Sequence, residues 1–178
     1  MQAQSKFKLD RLQILSFVLD GDFFGMEISN IQEVLEYHKI TSVPRTPDYM
    51  LGVINLRGQV VPVVDLRQYF GMTASEPTVD SCIIIVELEI EGERTALGLL
   101  ADQVREVLEL NADDVNSPPR LGNKIDNRFI YGVARHDDQF IILLKLHRIF
   151  SDAELMEVAE VMESGDPEPD DGQGADDE

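Results

Sequence analysis

Apolar residues in this chain come in short runs broken by acidic and glycine-bearing turns, the rhythm of β-strands joined by hairpins. ILSFVLDGDFFGMEI at 14–28 sets two such runs around Asp20-Gly21-Asp22. SCIIIVELEIEGERTALGLL at 81–100 does the same around Glu91-Gly92-Glu93. Glycine beside an acid at a hairpin tip supplies the positive φ that a tight turn requires. NLRGQVVPVVDL places Arg57-Gly58 between GVIN and QVVPVV, and a matching hairpin turns at Asp137-Asp138 between YGVAR and QFIILL. Alternation is imperfect in QVVPVV and QFIILL, which suggests strands covered on both faces. Pro62 inside the first run predicts an edge strand or a bulge, because proline cannot donate to a sheet ladder.

Helical signals are fewer. DLRQYFG at 65–71 reads as one short helix with Asp65 as its N-cap and Gly71 as its stop. SNIQEVLEY at 29–37 fits a helical turn through Ser29-x-x-Gln32, yet its β-branched content suits a strand equally well. Near the C-terminus, Ser151-x-x-Glu154 opens a capping box, and Leu155, Val158, Ala159 and Met162 follow at helical spacing. A helix is expected over 152–163, ended by Ser164-Gly165, and DPEPDDGQGADDE after it has no core-forming residue and is expected to be disordered.

The same plan is used twice. LGVINLRGQVVPVVDLRQYF at 51–70 and YGVARHDDQFIILLKLHRIF at 131–150 share Gly52/Gly132, Val53/Val133, Gln59/Gln139, Leu66/Leu146 and Phe70/Phe150 without a gap. Upstream, FGMEISNIQEVLE at 24–36 matches LGLLADQVREVLE at 97–109, with Gly25/Gly98 and EVLE aligned. Shared positions should specify fold. The unshared segment, Asn55-Leu56-Arg57-Gly58 against Arg135-His136-Asp137-Asp138, is where function should be sought. Many short strands with few helices predict an all-β protein with short helices: two small five-stranded barrels and a C-terminal helix. Lobes over about 11–72 and 80–150 are expected to pack against each other, because a barrel of about 60–70 residues is marginal alone. Residues 1–10 read as a disordered lead.

Charge narrows the range of partners. The chain of 178 residues carries a net −19, and residues 151–178 hold 12 acids and no base. The remaining body is still negative, which disfavours nucleic acid and anionic membrane surfaces. The longest apolar stretches, such as FIILL at 140–144, fall far short of the roughly 20 residues that span a bilayer. The N-terminal MQAQSKFKLDRLQ lacks the apolar region of a signal peptide, and a soluble, cytoplasmic protein is expected. The lone Cys82, in CIIIV, reads as a buried strand thiol.

No catalytic constellation emerges. His38, His136 and His147 are scattered, and with one cysteine no zinc site is supported. Phosphate-loop, dinucleotide and serine-hydrolase signatures are absent, and the acid pairs at 113–114, 137–138 and 170–171 lie in expected turns or the tail. No cofactor, no metal and no enzymatic activity are expected. What remains is Arg57 with Asn55 and Gly58, and Glu33, which could lie close enough to pair with Arg57.

On FGMEI at 24–28, IQEVLE at 31–36, ITSVPRTPDYMLGVINLRGQVVPVVDLR at 40–67 and LGLLADQVREVLEL at 97–110, the chain closely resembles the CheW family of chemotaxis adaptors over about residues 11–163. The resemblance implies two SH3-like barrels and a scaffold coupling methyl-accepting chemoreceptor tips to the histidine kinase CheA, whose regulatory domain shares the fold and alternates with it in rings. It further implies kinase contact at Ile31 and Glu33. Receptor coupling falls to Gly52, Asn55, Arg57, Gly58, Ile83, Val104 and Val107. An adaptor for a parallel chemosensory pathway, and a small-barrel ligand sensor or enzyme, are the competing readings.

Overall fold

The computed structural model describes residues 11–90, 92–117 and 127–150. The expected lead at 1–10, the helix at 152–163 and the acidic tail lie outside the described residues. The chain is mostly strand: β1 (Arg11–Leu19), β2 (Asp22–Glu27), β3 (Ile31–Glu36), β4 (Met50–Leu56), β5 (Gln59–Asp65), β6 (Cys82–Ile90), β7 (Glu93–Ala101), β8 (Gln103–Asn111), β9 (Val115–Asn116), β10 (Ile130–His136) and β11 (Gln139–Leu144). Two short helices, α1 (Leu66–Tyr69) and α2 (Leu146–Phe150), follow β5 and β11. Asp65 caps α1 as its sequence predicts, its carboxylate accepting from the Arg67 backbone N–H at 3.0 Å, and Gly71 beyond it has φ 82°. The ambiguous 29–37 segment resolves into a 3-10 turn, Ile28–Asn30, and then strand β3. The β-branched, alternating pattern of IQEVLE outweighs the capping-box signal.

The two sheets do not divide the chain where the repeat does. One has the order β8-β1-β2-β11-β10-β9, the other β3-β6-β7-β5-β4. Hairpin β1–β2 of the first copy therefore joins strands of the second, through antiparallel β1–β8 and parallel β2–β11 pairing. Hairpin β6–β7 of the second copy joins strands of the first, through antiparallel β3–β6 and parallel β5–β7 pairing. The sequence-contiguous lobes expected over 11–72 and 80–150 are corrected accordingly: each lobe takes its central hairpin from the opposite copy. Pairing leaves two edges to each sheet, so both are curled, SH3-like sheets that do not fully close.

This exchange explains the apolar runs without alternation. Along β6, Ile83 and Ile85 point into the interior of the five-stranded lobe with Val61, Val63 and Leu100. Ile84 and Val86 face the other way, into a cluster between the two sheets with Phe17, Phe24, Leu97 and Leu99. Leu12 and Ile14 of β1 line the six-stranded lobe with Leu108, Ile141 and Leu143, while Leu15, Phe17 and Leu19 enter the inter-sheet cluster. The exchanged hairpins are thus buried on both faces, and most of the large side chains with under 2 % exposure belong to them. Pro62 is neither on an edge strand nor at a bulge. It faces Val53 of β4, and the pairing of β5 with β7 begins only at Val63, so no bond to β7 needs its missing N–H.

Shared glycines mark equivalent close approaches. A Cβ on Gly52, at φ 144°, would lie 2.0 Å from the Thr41 carbonyl oxygen, where the chain forms a bridge from Thr41 to Val53. A Cβ on Gly132 would meet Val115 Cγ1 at 2.5 Å and the Asn116 carbonyl oxygen at 2.8 Å, where β9 pairs with β10. Both sit beside a register shift, between Met50 and Gly52 and between Ile130 and Gly132.

One ion-pair cluster ties the exchanged hairpin to the opposite lobe. Arg67 of α1, with only 13 % of its side chain exposed, donates to Asp102 at 2.7 Å and to Asp20 at 3.3 Å. The Asp20 backbone N–H donates to Asp102 at 2.7 Å, and Arg67 Nε reaches the Thr73 carbonyl at 2.8 Å. Asp20 stands at the β1–β2 turn and Asp102 between β7 and β8, so one guanidinium joins three chain segments.

Replacing Arg67 by methionine is expected to lower unfolding free energy by about 1–3 kcal/mol, the partners being partly solvated. A urea melt within about 0.5 kcal/mol of wild type would contradict this role. Gly52→Ala is expected to cost about 2–4 kcal/mol through the clash with Thr41 and the strained φ. A wild-type melt for that variant would show that the close approach is not a constraint.

Candidate functional site: a hairpin corner and two strand edges

At the centre of the site is a two-residue turn. Between β4 and β5, Arg57 and Gly58 take φ 52° and 86°, and the Asn55 side-chain oxygen accepts from the Gly58 backbone N–H at 2.9 Å. Asparagine is a better residue for the first of these positions, because the left-handed region penalises a long L side chain. Arginine held there is a strained choice that a purely structural turn does not require.

The strain has a partner. The Arg57 guanidinium hydrogen-bonds and ion-pairs with the Glu33 carboxylate on β3, 24 residues earlier. Arg57 is largely exposed, whereas Glu33 keeps only 27 % of its side chain accessible. The hydrogen bond to Glu33, and then the charge of Glu33, raise the Arg57 pKa above the ordinary arginine value. Turn and strand edge form one polar corner of the five-stranded lobe. In the second copy the equivalent turn carries Asp137 and Asp138, with Arg135 and His136 turned to those acids instead.

Strand β3 is an edge of its sheet, and its copy β8 is an edge of the other. Their residues fall in equivalent places. Ile31 and Val104 are each half-buried against the inter-sheet cluster. Val34 and Val107 each project to solvent, at 39 % and 55 % exposure. The flanking glutamates, Glu33 and Glu36 on β3 and Glu106 and Glu109 on β8, put charge beside these valines, a common guard against indiscriminate edge pairing.

Of the residues expected from the sequence, the structure gathers Glu33, Asn55, Arg57 and Gly58 at one corner, with Ile31 on the same edge strand. Val104 and Val107 stand on the edge of the second sheet. Two others lie in the interior. Ile83 is fully buried in the interior of the five-stranded lobe, opposite Leu35 of β3, and presents no surface to a partner. It follows Cys82 in a run of three isoleucines, and only the sheet register decides which of them face inward. Gly52 is also buried, and its demand is the approach of Thr41. Cys82, expected to be buried, is partly exposed at the start of β6, with its Sγ 3.4 Å from the Asp80 carbonyl oxygen.

Val34 was absent from the expected set. Aligning IQEVLE on VREVLE pairs it with Val107, and that signal was available in the sequence. Among the described residues, no group of three His, Cys, Asp or Glu side chains is placed to hold a metal ion, and no helix is long and apolar enough to cross a membrane.

Comparison with known proteins agrees with this geometry. The family model for the CheW-like domain matches residues 13–154. A probable chemotaxis protein CheW of Rhizobium etli is 31% identical over 142 residues, covering 80% of this chain and 89% of that protein. Chemotaxis protein CheW of Thermotoga maritima is 30% identical, covering 84% of this chain and 94% of that one. Among solved structures, the scaffolding protein CheW of Thermoanaerobacter tengcongensis superposes with a TM-score of 0.70 at 38% identity, covering 79% of this chain and 88% of that one. With the duplicated, hairpin-exchanged fold and the NLRG corner, these matches establish that the chain belongs to the CheW-like domain family of chemotaxis adaptors.

Proposed function

We propose that this chain is a non-catalytic adaptor that couples the cytoplasmic tips of methyl-accepting chemoreceptors to the regulatory domain of the histidine kinase CheA, in association with membrane receptor arrays. The observation that carries the proposal is the Arg57–Glu33 corner, present in one copy of the duplicated unit only. A strained arginine that anchors a glutamate on a strand edge orients a surface without supplying reactivity. Its use is recognition.

The duplication gives the adaptor its second face. β3 and β8 are matching edges of two different sheets, so two partners can be engaged without competing for one surface. Ile31 and Glu33 on β3 are assigned to the kinase, and Val104 and Val107 on β8 to the receptor. Arg57, with Asn55 and Gly58, is assigned to receptor coupling and sits beside Glu33. Each contact is of modest size, about 800 Å² per partner or below, as suits an assembly that must change state. Signalling then passes as a shift in packing between receptor, adaptor and kinase, including any ring built with other CheW-like domains.

Receptor-containing membranes, CheA and the full chain are expected to co-sediment as a ternary complex with receptor-dependent kinase autophosphorylation. Absence of both the complex and that dependence would sink the proposal. Arg57→Asn separates recognition from folding. Asparagine suits the left-handed turn, so stability is expected to match or exceed wild type within about 0.5 kcal/mol, while receptor-dependent kinase activity falls. If Arg57→Asn couples normally, the Arg57–Glu33 corner is not what the partners read.

A further inference from the structure

Each of the two matching edge strands carries an extra residue against its inner neighbour. Pairing of β3 with β6 steps from Ile31↔Val86 to Glu33↔Ile85, and pairing of β8 with β1 steps from Val104↔Phe17 to Val107↔Leu15. A bulge of this kind bends an edge strand and re-aims its side chains. The two bulges are closed differently. In β3, Glu33 pairs directly with Ile85. In β8, Arg105 and Glu106 stand opposite Ser16, and a side chain takes the place of the ladder. The Ser16 hydroxyl donates to the Glu106 carbonyl at 2.9 Å and accepts from the Glu106 backbone N–H at 3.2 Å.

Ser16 and Ile85 hold the same place in the duplicated plan. Each lies across from the shared glycine of its hairpin, Ser16 from Gly25 and Ile85 from Gly98. Ile85 is fully buried with Val61, Val63 and Leu100, as an exchanged strand demands. Ser16, at 4 % exposure, is a buried polar residue in the midst of an apolar run. A buried hydroxyl is costly unless hydrogen-bonded, and this one spends both its donor and its acceptor on Glu106. The neighbouring Arg105 reaches back over the Phe23 ring of β2, its guanidinium carbon 5.5 Å from the ring centroid. Both residues of the bulge are thus tied inward, and Glu106 and Val107 are left exposed.

We propose that Ser16 is a positioning residue for the β8 face: its hydroxyl clamps the Arg105–Glu106 bulge and so sets the direction in which Glu106 and Val107 meet a partner. The clamp belongs to one copy only, so it makes β8 unlike β3 from beneath, as Arg57 makes the β3 corner unlike its counterpart from above. This inference rests on the assignment of β8 to the receptor.

The test measures binding of a chemoreceptor tip fragment and of the CheA regulatory domain to the full chain, with amide exchange read at Glu106. Ser16→Ala removes the hydroxyl without adding volume. It is expected to speed Glu106 exchange about threefold or more and to weaken the receptor fragment about fivefold or more, while kinase-domain affinity stays within about twofold. Ser16→Thr keeps a hydroxyl on a residue suited to a strand, and should restore both slow exchange and receptor affinity. Val107→Glu, measured alongside, separates the two readings. If Val107→Glu abolishes receptor binding and Ser16→Ala leaves it unchanged, the clamp is overturned and β8 stands as the receptor face. If neither variant affects the receptor fragment, the assignment of β8 falls and the clamp with it. Equal weakening of both partners by Ser16→Ala also overturns the proposal, since the hydroxyl would then serve the fold as a whole.

Discussion

Two-sided burial of the exchanged hairpins is the constraint on which the rest of the molecule depends. β1–β2 and β6–β7 each supply one row of side chains to a lobe interior and the other row to the cluster between the sheets. Neither lobe holds its own central hairpin. Opening one lobe therefore removes strands from the other, and two units too small to be stable alone fold as one. The Arg67 contacts with Asp20 and Asp102 lock the same exchange from the polar side.

Function arises from the surfaces this core leaves exposed. Once both hairpins are central, the EVLE strands are pushed to the edges as β3 and β8, one on each sheet. Their inward residues, Ile31 and Val104, seal the inter-sheet cluster, and Val34 and Val107 face out. Duplication alone would give two equal faces. The β4–β5 turn makes them unequal, since Arg57 reaches Glu33 while the second copy carries Asp137 and Asp138 at that place. An adaptor needs that inequality, because two identical faces would bind the same partner twice.

Much of this was legible in the sequence, and the boundary is physical. Hairpins at Asp20-Gly21, Arg57-Gly58 and Asp137-Asp138, and the Asp65 cap, are local devices encoded within a few residues. The hairpin exchange was not legible. It rests on parallel pairing of β2 with β11 and of β5 with β7, and in a duplicated chain either copy offers an equivalent strand. The burial of Ile83 was not legible for the same reason, because its inward direction is set only by register with Leu35 and Leu100. Arg57 was legible because the comparison of the two copies needed no structure: it lay in the segment where they differ. Pairing of Glu33 with Arg57 could be entertained from the sequence, but only the β3 edge geometry brings them together.

As proposed here, β3 and β8 are separate faces for separate partners. Binding of the CheA regulatory domain and of a chemoreceptor tip fragment, measured by titration calorimetry on Ile31→Glu and Val107→Glu, tests it most directly. A double dissociation is expected: Ile31→Glu weakens binding of the kinase domain tenfold or more, about 1.4 kcal/mol, and spares the receptor fragment, while Val107→Glu does the reverse. Equal loss of both partners in either folded variant would contradict the two-face account.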